Sequence, residues 1–563
     1  MNSTLQIAFG LLGGLAIFLF GMTMMSECLQ KAAGERMKKI LALLTKNPVM
    51  GVLAGALTTA VLQSSSATTV MTIGFVSAGF MNLPQAISII LGANIGTTMT
   101  AQLLAFNISD YIFVIIFFGF LISFVAKKEK IKNIGQTIFA FGLLFEGIEI
   151  MGSVMSPLAT SPIFTEMIGK VSGIPILGVA VGTLMTLVVQ SSSATIAVLQ
   201  NFASQAGPDG VSSVIGLEGA IPILLGDNIG TTITAVLASI GQSKDAKRTA
   251  VAHCTFNVTG TFLFIWFIGP FADFIQMISP KGPEIEVISR QIANAHTSFN
   301  VVMTIIWTPL IWLLVEIVTR IIPDGEQPKA AVSDLHYLDT KLLGQPAAAL
   351  QLVAKEVARC TSMVGDAVRT MSKAVKEEDK DVLKEVYENA DNSHKLNEKI
   401  TEYLTNLFSA GGLTEEQAAQ TAEIMYVMSD LDRISLLCRD VADSVKEKTE
   451  KKYKYSKEAV KGLKSSLGIV EDMYFDAIKA MTSKDPESAD LVHKAKDEIT
   501  VLDSDLRKAH IERVRKGKCD SNLAVPFNKI LHSIDRIGNS CVNIADGAWG
   551  GFEFMALPEK KKK

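Results

Sequence analysis

Two short motifs, each present twice, hold the side chains of this chain best suited to binding. Q-S-S-S-A-T occupies Gln63–Thr68 and recurs at Gln190–Thr195. G-A-N-I-G-T-T at Gly92–Thr98 recurs as G-D-N-I-G-T-T at Gly226–Thr232. Gln63, Ser64, Ser65 and Ser66, and equally Gln190, Ser191, Ser192 and Ser193, place four small polar side chains inside an apolar stretch. Their hydroxyls and amides donate hydrogen bonds. A helix starting there adds unpaired backbone N–H groups and a positive dipole end. That combination binds anions without Arg or Lys. Two such tips meeting near the membrane centre suit a tetrahedral oxyanion such as phosphate. The plainer reading is that the serines tie helices together. A second matching copy favours binding.

The second motif joins flexible glycines to hard oxygen ligands. Glycine lets a helix unwind, and freed carbonyls commonly hold Na+ in transporters built from broken helices. Candidate sodium ligands are Asn94, Thr97 and Thr98, then Asn228, Thr231 and Thr232, with Thr68 and Thr195 beside them. The alternative is a glycine-rich packing seam. Ionisable groups in apolar spans are functional candidates, which singles out Asp227, Glu146 and Glu149 as ion or cavity residues. Asp227 has Ala93 as its counterpart in the first copy. The pentapeptides H-C-T-F-N and H-T-S-F-N place His253 with Asn257, and His296 with Asn300, four apart on one helix face. Interhelical hydrogen bonding is their expected role, with a place on the ion path as the alternative. No His pair has zinc-like spacing, and no Walker A, kinase, Rossmann or nucleophile-elbow motif is present. The chain therefore reads as neither an enzyme nor an ATP-driven pump. No cofactor is expected beyond sodium as a coupling ion.

The elements that must position these residues are apolar helices. The 563 residues carry a net charge of −3. Only 34 of the first 330 are charged, against 75 of the last 233, where roughly a quarter is usual. The pattern is a membrane unit followed by a soluble unit, and it gives no basic surface for nucleic acid. Six cysteines without CxxC pairing read as free thiols. About 20 apolar residues span a bilayer. Seven spans are expected at 5–27, 84–106, 108–126, 134–155, 215–240, 249–270 and 293–320, the first retained and not cleaved as a signal peptide. The stretches 49–80 and 174–204 are interrupted by Q-S-S-S and read as re-entrant hairpins. With the N-terminus outside, thirteen Lys and Arg near the spans fall inside and three outside. This puts the C-terminal domain in the cytoplasm. The two copies, about 5–126 and 134–270, then have inverted orientation, the pattern of secondary transporters.

With these residues in place, the paired Q-S-S-S and G-x-N-I-G-T-T motifs and A-N-A-H-T-x-F-N at Ala293–Asn300 resemble the bacterial form of the type II sodium–phosphate cotransporter family. The resemblance covers roughly residues 5–320. It implies phosphate sites at Gln63–Ser66 and Gln190–Ser193, ion sites at the neighbouring Asn and Thr, and sodium-coupled phosphate uptake. Asp227 departs from the more usual Ala, so the resemblance does not carry over the local charge balance or the ion count. Beyond a Pro- and Gly-containing linker at 323–332, residues 333–555 read as about six helices in two bundles of three, followed by a basic tail at 556–563. D-R-I-S-L-L-C-R-D-V-A at Asp432–Ala442 matches D-R-I-G-N-S-C-V-N-I-A at Asp535–Ala545. These segments resemble PhoU-like domains. Leu436 and Asn539 stand where such domains carry an acid, so salt bridging by Asp432, Arg433, Asp535 and Arg536 is expected over metal binding. The fold class is thus all-α: a polytopic transport domain over 1–322 and a helical-bundle domain. The expected function is sodium-coupled phosphate symport by alternating access in the cytoplasmic membrane. A membrane-anchored phosphate sensor, a channel, and a transporter or exporter of another oxyanion stay open. A homodimer and a cytoplasmic phosphate-signalling partner are compatible with each.

Overall fold

The structure is a computed structural model. It describes residues 3–42, 47–106, 108–159, 173–207, 209–324, 332–377, 379–451 and 453–547. Most of the expected linker and the whole basic tail lie outside those residues. The chain divides into two compact units, 1–326 and 327–563.

In the first unit, every regular element among the described residues is helical. These are α1 (Ser3–Ala42), α2 (Pro48–Leu62), α3 (Ser65–Ser77), α4 (Leu83–Leu104), α5 (Ile112–Val125) and α6 (Glu129–Ala159). Then come α7 (Pro175–Val189), α8 (Ser192–Ala203), α9 (Gly216–Ser239), α10 (Lys244–Phe264), α11 (Ile268–Ile278), α12 (Glu284–Trp307) and α13 (Ile311–Ile321). The starts follow from local chemistry. Asn47 caps α2 ahead of Pro48, and Asn82 with Gln85 closes a capping box on α4 ahead of Pro84.

Among the described residues, five helical segments are long and apolar enough to cross a membrane, Leu5–Lys31, Leu83–Leu104, Glu129–Met155, Gly216–Ser239 and Lys244–Ile278, and the bent pair Glu284–Trp307 with Ile311–Ile321 makes a sixth if it is one broken span. Two of the seven expected spans take another form. The segment at 108–126 yields only a short apolar helix, Ser109–Val125. The segment at 293–320 is not one straight helix, because α12 and α13 meet at 86°. Pro309 sits in the break. It has no N–H to give the Ile305 carbonyl four residues before it, and the last turn ahead of it closes with the N–H and the hydroxyl of Thr308 both on the Thr304 carbonyl, at 2.9 and 2.6 Å.

Small residues bring the helices together. A Cβ at Gly21 would lie 2.8 Å from the Leu144 nitrogen, and one at Gly147 would lie 2.6 Å from the Phe18 nitrogen. The α1–α6 pairing therefore depends on side-chain-free positions, the usual device between membrane helices. Large apolar side chains fill the rest: Ile87, Leu225, Phe256, Ile292 and Phe299 are fully buried. Phe113, Phe124, Phe262 and Trp266 are exposed on the outside of the unit, as a lipid-facing surface requires.

Among its described residues the second unit has six long helices: α14 (Pro346–Glu377), α15 (Lys380–Ala410), α16 (Glu415–Glu450), α17 (Lys457–Ser483), α18 (Pro486–Arg515) and α19 (Ala524–Asp546). The first three pack on one another, as do the last three, which is the expected pair of three-helix bundles. The repeated acids bridge helices. Asp432 on α16 pairs with His394 on α15 at 2.6 Å, and Asp535 on α19 pairs with Lys496 on α18. The hydrogen bond to Asp432 raises His394 above its ordinary 6.5. A raised value stabilises the folded state at low pH and is lost as pH rises through it. The protection of α15 and α16 amides in the full chain, taken relative to their intrinsic base-catalysed exchange rates, should therefore fall as pH increases through and above 6.5, and Asp432→Asn should flatten that dependence. A pH-independent protection pattern in the parent chain would refute the assignment. No cluster of three or more His, Cys, Asp or Glu suited to a metal occurs among the described residues.

Candidate functional site: two matched helix breaks

Each Q-S-S-S run breaks its helix in the same way. Gln63 ends α2 in the left-handed region (φ 52°, ψ 26°), and Gln190 ends α7 there (φ 55°, ψ 26°). Ser64 and Ser191 follow in extended conformation. Each caps the next half-helix, accepting from Ala67 N at 3.1 Å and from Ala194 N at 3.2 Å. That cap satisfies one amide. The amides of Ser65 and Ser66, and of Ser192 and Ser193, come before it in the first turn and have no intrahelical acceptor.

The half-helices fold back on their predecessors. Nine residues span about 13 Å along a continuous helix. Yet the hydroxyls of Thr59 and Thr68 meet at 2.9 Å, and those of Thr186 and Thr195 at 3.0 Å. Thr68 Oγ1 and Thr195 Oγ1 each also lie 3.3 Å from the carbonyl oxygen of the capping serine, a second acceptor for the same hydroxyl. Thr59 and Thr186 were not among the expected site residues. Their shared position four residues before each Gln is the signal that would have found them.

The two copies differ in detail. Gln63 is buried, with its amide oxygen accepting from Thr100 at 2.9 Å and its amide nitrogen donating to Ala60 O. Gln190 is exposed. The two glutamines are therefore not equivalent ligands. α4 and α9 each pack against both half-helices, α3 and α8, which gathers the two tips around one pair of motif helices. Gln200 on α8 tightens this by donating to Ala101 O at 3.1 Å and to Ser289 O at 2.9 Å.

The expected unwinding at G-x-N-I-G-T-T does not occur. Gly92–Thr98 lies inside the continuous α4, and Gly226–Thr232 inside the continuous α9. The glycines serve close approach instead. A Cβ on Gly92 would stand 1.9 Å from Val52 O, and one on Gly226 would stand 2.0 Å from Val179 O. Gly96 and Gly230 face Ala56 O and Thr183 O at 2.5 and 2.7 Å. The motif is a packing seam between α2 and α4, and between α7 and α9. No carbonyl is freed there, so only side-chain oxygens remain as cation ligands. Thr98, Thr231 and Thr232 donate back to carbonyls of their own helices. Thr97 is buried in the same segment.

Asn94 and Asn228 are held from across the unit. Each donates to the carbonyl four residues before it, which fixes its amide oxygen as the acceptor. His253 Nε2 on α10 reaches Asn94 Oδ1 at 3.2 Å, and His296 Nε2 on α12 reaches Asn228 Oδ1 at 3.2 Å. Thr261 on α10 bonds Leu225 O on α9, and Thr304 on α12 bonds Leu91 O on α4. Each of α10 and α12 thus clamps both motif helices. Interhelical hydrogen bonding accounts for the two histidines of the H-x-x-F-N repeat, whereas Asn257 and Asn300 each donate within their own helix, to the carbonyl of that histidine.

Asp227 is fully buried, so it does not sit in a cavity mouth. Thr186 donates to its Oδ1 at 2.6 Å. Glu149 is exposed and accepts from Ser109 at 3.1 Å, and Glu146 is half-buried on the same helix, α6.

The internal duplication reappears when the chain is compared with known proteins. Residues 17–153 and 155–303 each match the Na+/Pi-cotransporter family. The chain belongs to this family. Residues 357–445 and 463–548 each match the PhoU domain. The membrane-spanning helices and the helical PhoU domain are therefore those of a multi-pass phosphate transporter family. Among relatives, the uncharacterized protein YqeW of Bacillus subtilis is 32% identical over 54% of this chain and 95% of its own length. A Salmonella typhimurium protein named "Putative inorganic phosphate export protein YjbB" is 23% identical over 91% of both chains. The human sodium-dependent phosphate transport protein 2B is 39% identical over 99 residues, which cover 17% of this chain and 13% of its own. No solved structure matches.

Proposed function

We propose that this member of the family couples the transmembrane movement of inorganic phosphate to sodium by alternating access. The observation that carries the reading is the pair of matched breaks at Gln63–Ser64 and Gln190–Ser191, each presenting an open first turn. Phosphate is held by Ser65, Ser66, Ser192 and Ser193, with the first-turn amides, and by Gln190. Gln63 shapes the first tip through Thr100. Sodium lies among the side-chain oxygens of Thr68, Asn94, Thr97 and Thr98, and of Thr195, Asn228, Thr231 and Thr232. Each breaking segment returns to its own side of the membrane, and the two repeats are inverted. The PhoU domain faces the cytoplasm, as the charge bias requires, and regulates transport there. Coupling follows when both ligands favour one occluded state, since each then raises the affinity for the other.

Direction is a property of the gradients. A relative matching over nine-tenths of its length carries a name for export, which supports a second reading in which the same site discharges phosphate outward. The deciding experiment uses proteoliposomes of the full chain. Labelled phosphate is followed under an inward sodium gradient, an equal potassium gradient, and each gradient reversed. Sodium-driven accumulation is expected. Flux that ignores the cation gradient would leave a channel, and binding without flux would leave a sensor.

Gln190 offers a sharper check. A left-handed non-glycine residue costs about 1–2 kcal/mol, and this cost is retained at an exposed position. Strain of that kind is often held for function. Relief of about 1–2 kcal/mol of left-handed strain, less about 0.5–1 kcal/mol for the freer unfolded glycine, means Gln190→Gly should hold or slightly raise thermal stability while slowing phosphate uptake. A folded variant that is at least as stable and equally active would remove Gln190 from the site.

A further inference from the structure

Asp227 lies on α9, one residue before Asn228, with its backbone nitrogen against Gly182 of α7. Both carboxylate oxygens are enclosed. Oδ1 takes the Thr186 hydroxyl, and Oδ2 has no hydrogen-bond partner. Thr186 has one hydroxyl hydrogen, and a carboxylate is the stronger acceptor. Thr195 Oγ1 lies 3.0 Å from Thr186 Oγ1 and 3.3 Å from Ser191 O, and with the Thr186 hydrogen committed to Asp227 the shorter contact takes the single Thr195 hydrogen. The result is a directed chain, Thr195 to Thr186 to Asp227, that starts in the first turn of the half-helix opened by Ser191.

The first copy has the same chain without its end. Thr59 and Thr68 meet as Thr186 and Thr195 do, but Ala93 occupies the place of Asp227. One hydroxyl does not offset the cost of an isolated buried carboxylate, which is several kcal/mol. A positive charge must accompany it. Among the described residues, the helices packed on α9 supply none. α3, α7 and α8, which pack on α9, contain no charged residue. On α10, Arg248 is paired with Asp245 and Asp324, and His253 is bonded to Asn94. Lys244 bonds Pro323 O, and Lys247 is exposed. On α12, Arg290 is bonded to Gln102, Glu284 to Ser213 N, and His296 to Asn228. Asp273 on α11 and Glu286 on α12 are exposed.

We infer that Asp227, Thr186 and Thr195 form a site for one monovalent cation, present in the second copy of the repeat and absent from the first. The inference rests on the cotransport reading and adds a stoichiometric difference between its halves. The cation is sodium or a proton, and the hydroxyl chain links its occupancy to the phosphate tip at Ser191–Ser193.

The test measures labelled sodium and labelled phosphate flux together in proteoliposomes, at several pH values, for the parent chain, Asp227→Asn, Thr186→Val and Ala93→Asp. If sodium is the ion, Asp227→Asn lowers the sodium-to-phosphate ratio by one, or raises half-saturating sodium by about tenfold or more. If a proton is the ion, the sodium ratio holds and the acid-dependent part of uptake disappears. Thr186→Val should shift the same parameter in the same direction, and Ala93→Asp should add a second cation dependence. Asp227→Asn with the parent ratio, sodium affinity and pH profile overturns the inference. Should that variant not fold, parent-like behaviour of folded Thr186→Val and Ala93→Asp overturns it equally. Sodium-independent uptake by the parent chain overturns the symport reading instead, and leaves Asp227 to be judged by the pH arm alone.

Discussion

Alanine at Gly92 is expected to destabilise the membrane unit by more than about 3 kcal/mol, and alanine at Gly226 by a similar amount. The added methyl meets a backbone carbonyl, at 1.9 Å from Val52 O in one case and 2.0 Å from Val179 O in the other. A side-chain neighbour could rotate away, but a carbonyl inside a helix cannot. The helices must part, and every contact along the α2–α4 or α7–α9 seam loosens with them. Gly13 is the control. It sits in the exposed face of α1, where an added methyl group would find nothing within 4 Å, so Gly13→Ala should gain about 0.5–1 kcal/mol from helix propensity. Thermal melts in detergent separate the cases. A Gly92→Ala protein that melts with the parent would refute the packing role and restore flexibility as the purpose of these glycines.

The second large effect concerns transport and spares the fold. Ser64 and Ser191 are the helix caps, so their alanine variants should each cost about 1 kcal/mol of stability. Ser65 and Ser192 begin the half-helices without capping them. Replacing both by alanine should leave the melting temperature unchanged. If their hydroxyls hold phosphate, each lost hydrogen bond to a charged group removes about 1.5–3 kcal/mol. Two together weaken phosphate by at least roughly a hundredfold. The measurement is half-saturating phosphate in the uptake assay beside the melt. Unchanged uptake by Ser65→Ala with Ser192→Ala would move the substrate away from the breaks and leave the serines as interhelical ties.

Where the helices break was legible in the string of residues. Gln followed by three serines places a cap inside an apolar run, and cap chemistry is local: Ser64 and Ser191 need only their own next three residues. The duplication was equally legible, because it is a property of the string. So were the six helices of the second unit, since a 3.6-residue apolar period is enough to specify an amphipathic helix.

What the glycines do was settled by packing. The same residue permits unwinding or close approach, and the choice depends on whether a foreign backbone fills the space left by the missing Cβ. At Gly92 and Gly226 it does, so α4 and α9 stay wound. Partner choice also lay outside the sequence. His253 and His296 read as a repeated pair, but which asparagine each one reaches is set by how α10 and α12 cross α4 and α9. The enclosure of Asp227 is of the same kind. Its letter and its missing counterpart are visible in the chain, whereas burial comes from residues far away along it. Pro309 marks the intermediate case, because proline forecasts a break but the 86° between α12 and α13 is fixed by what they pack against.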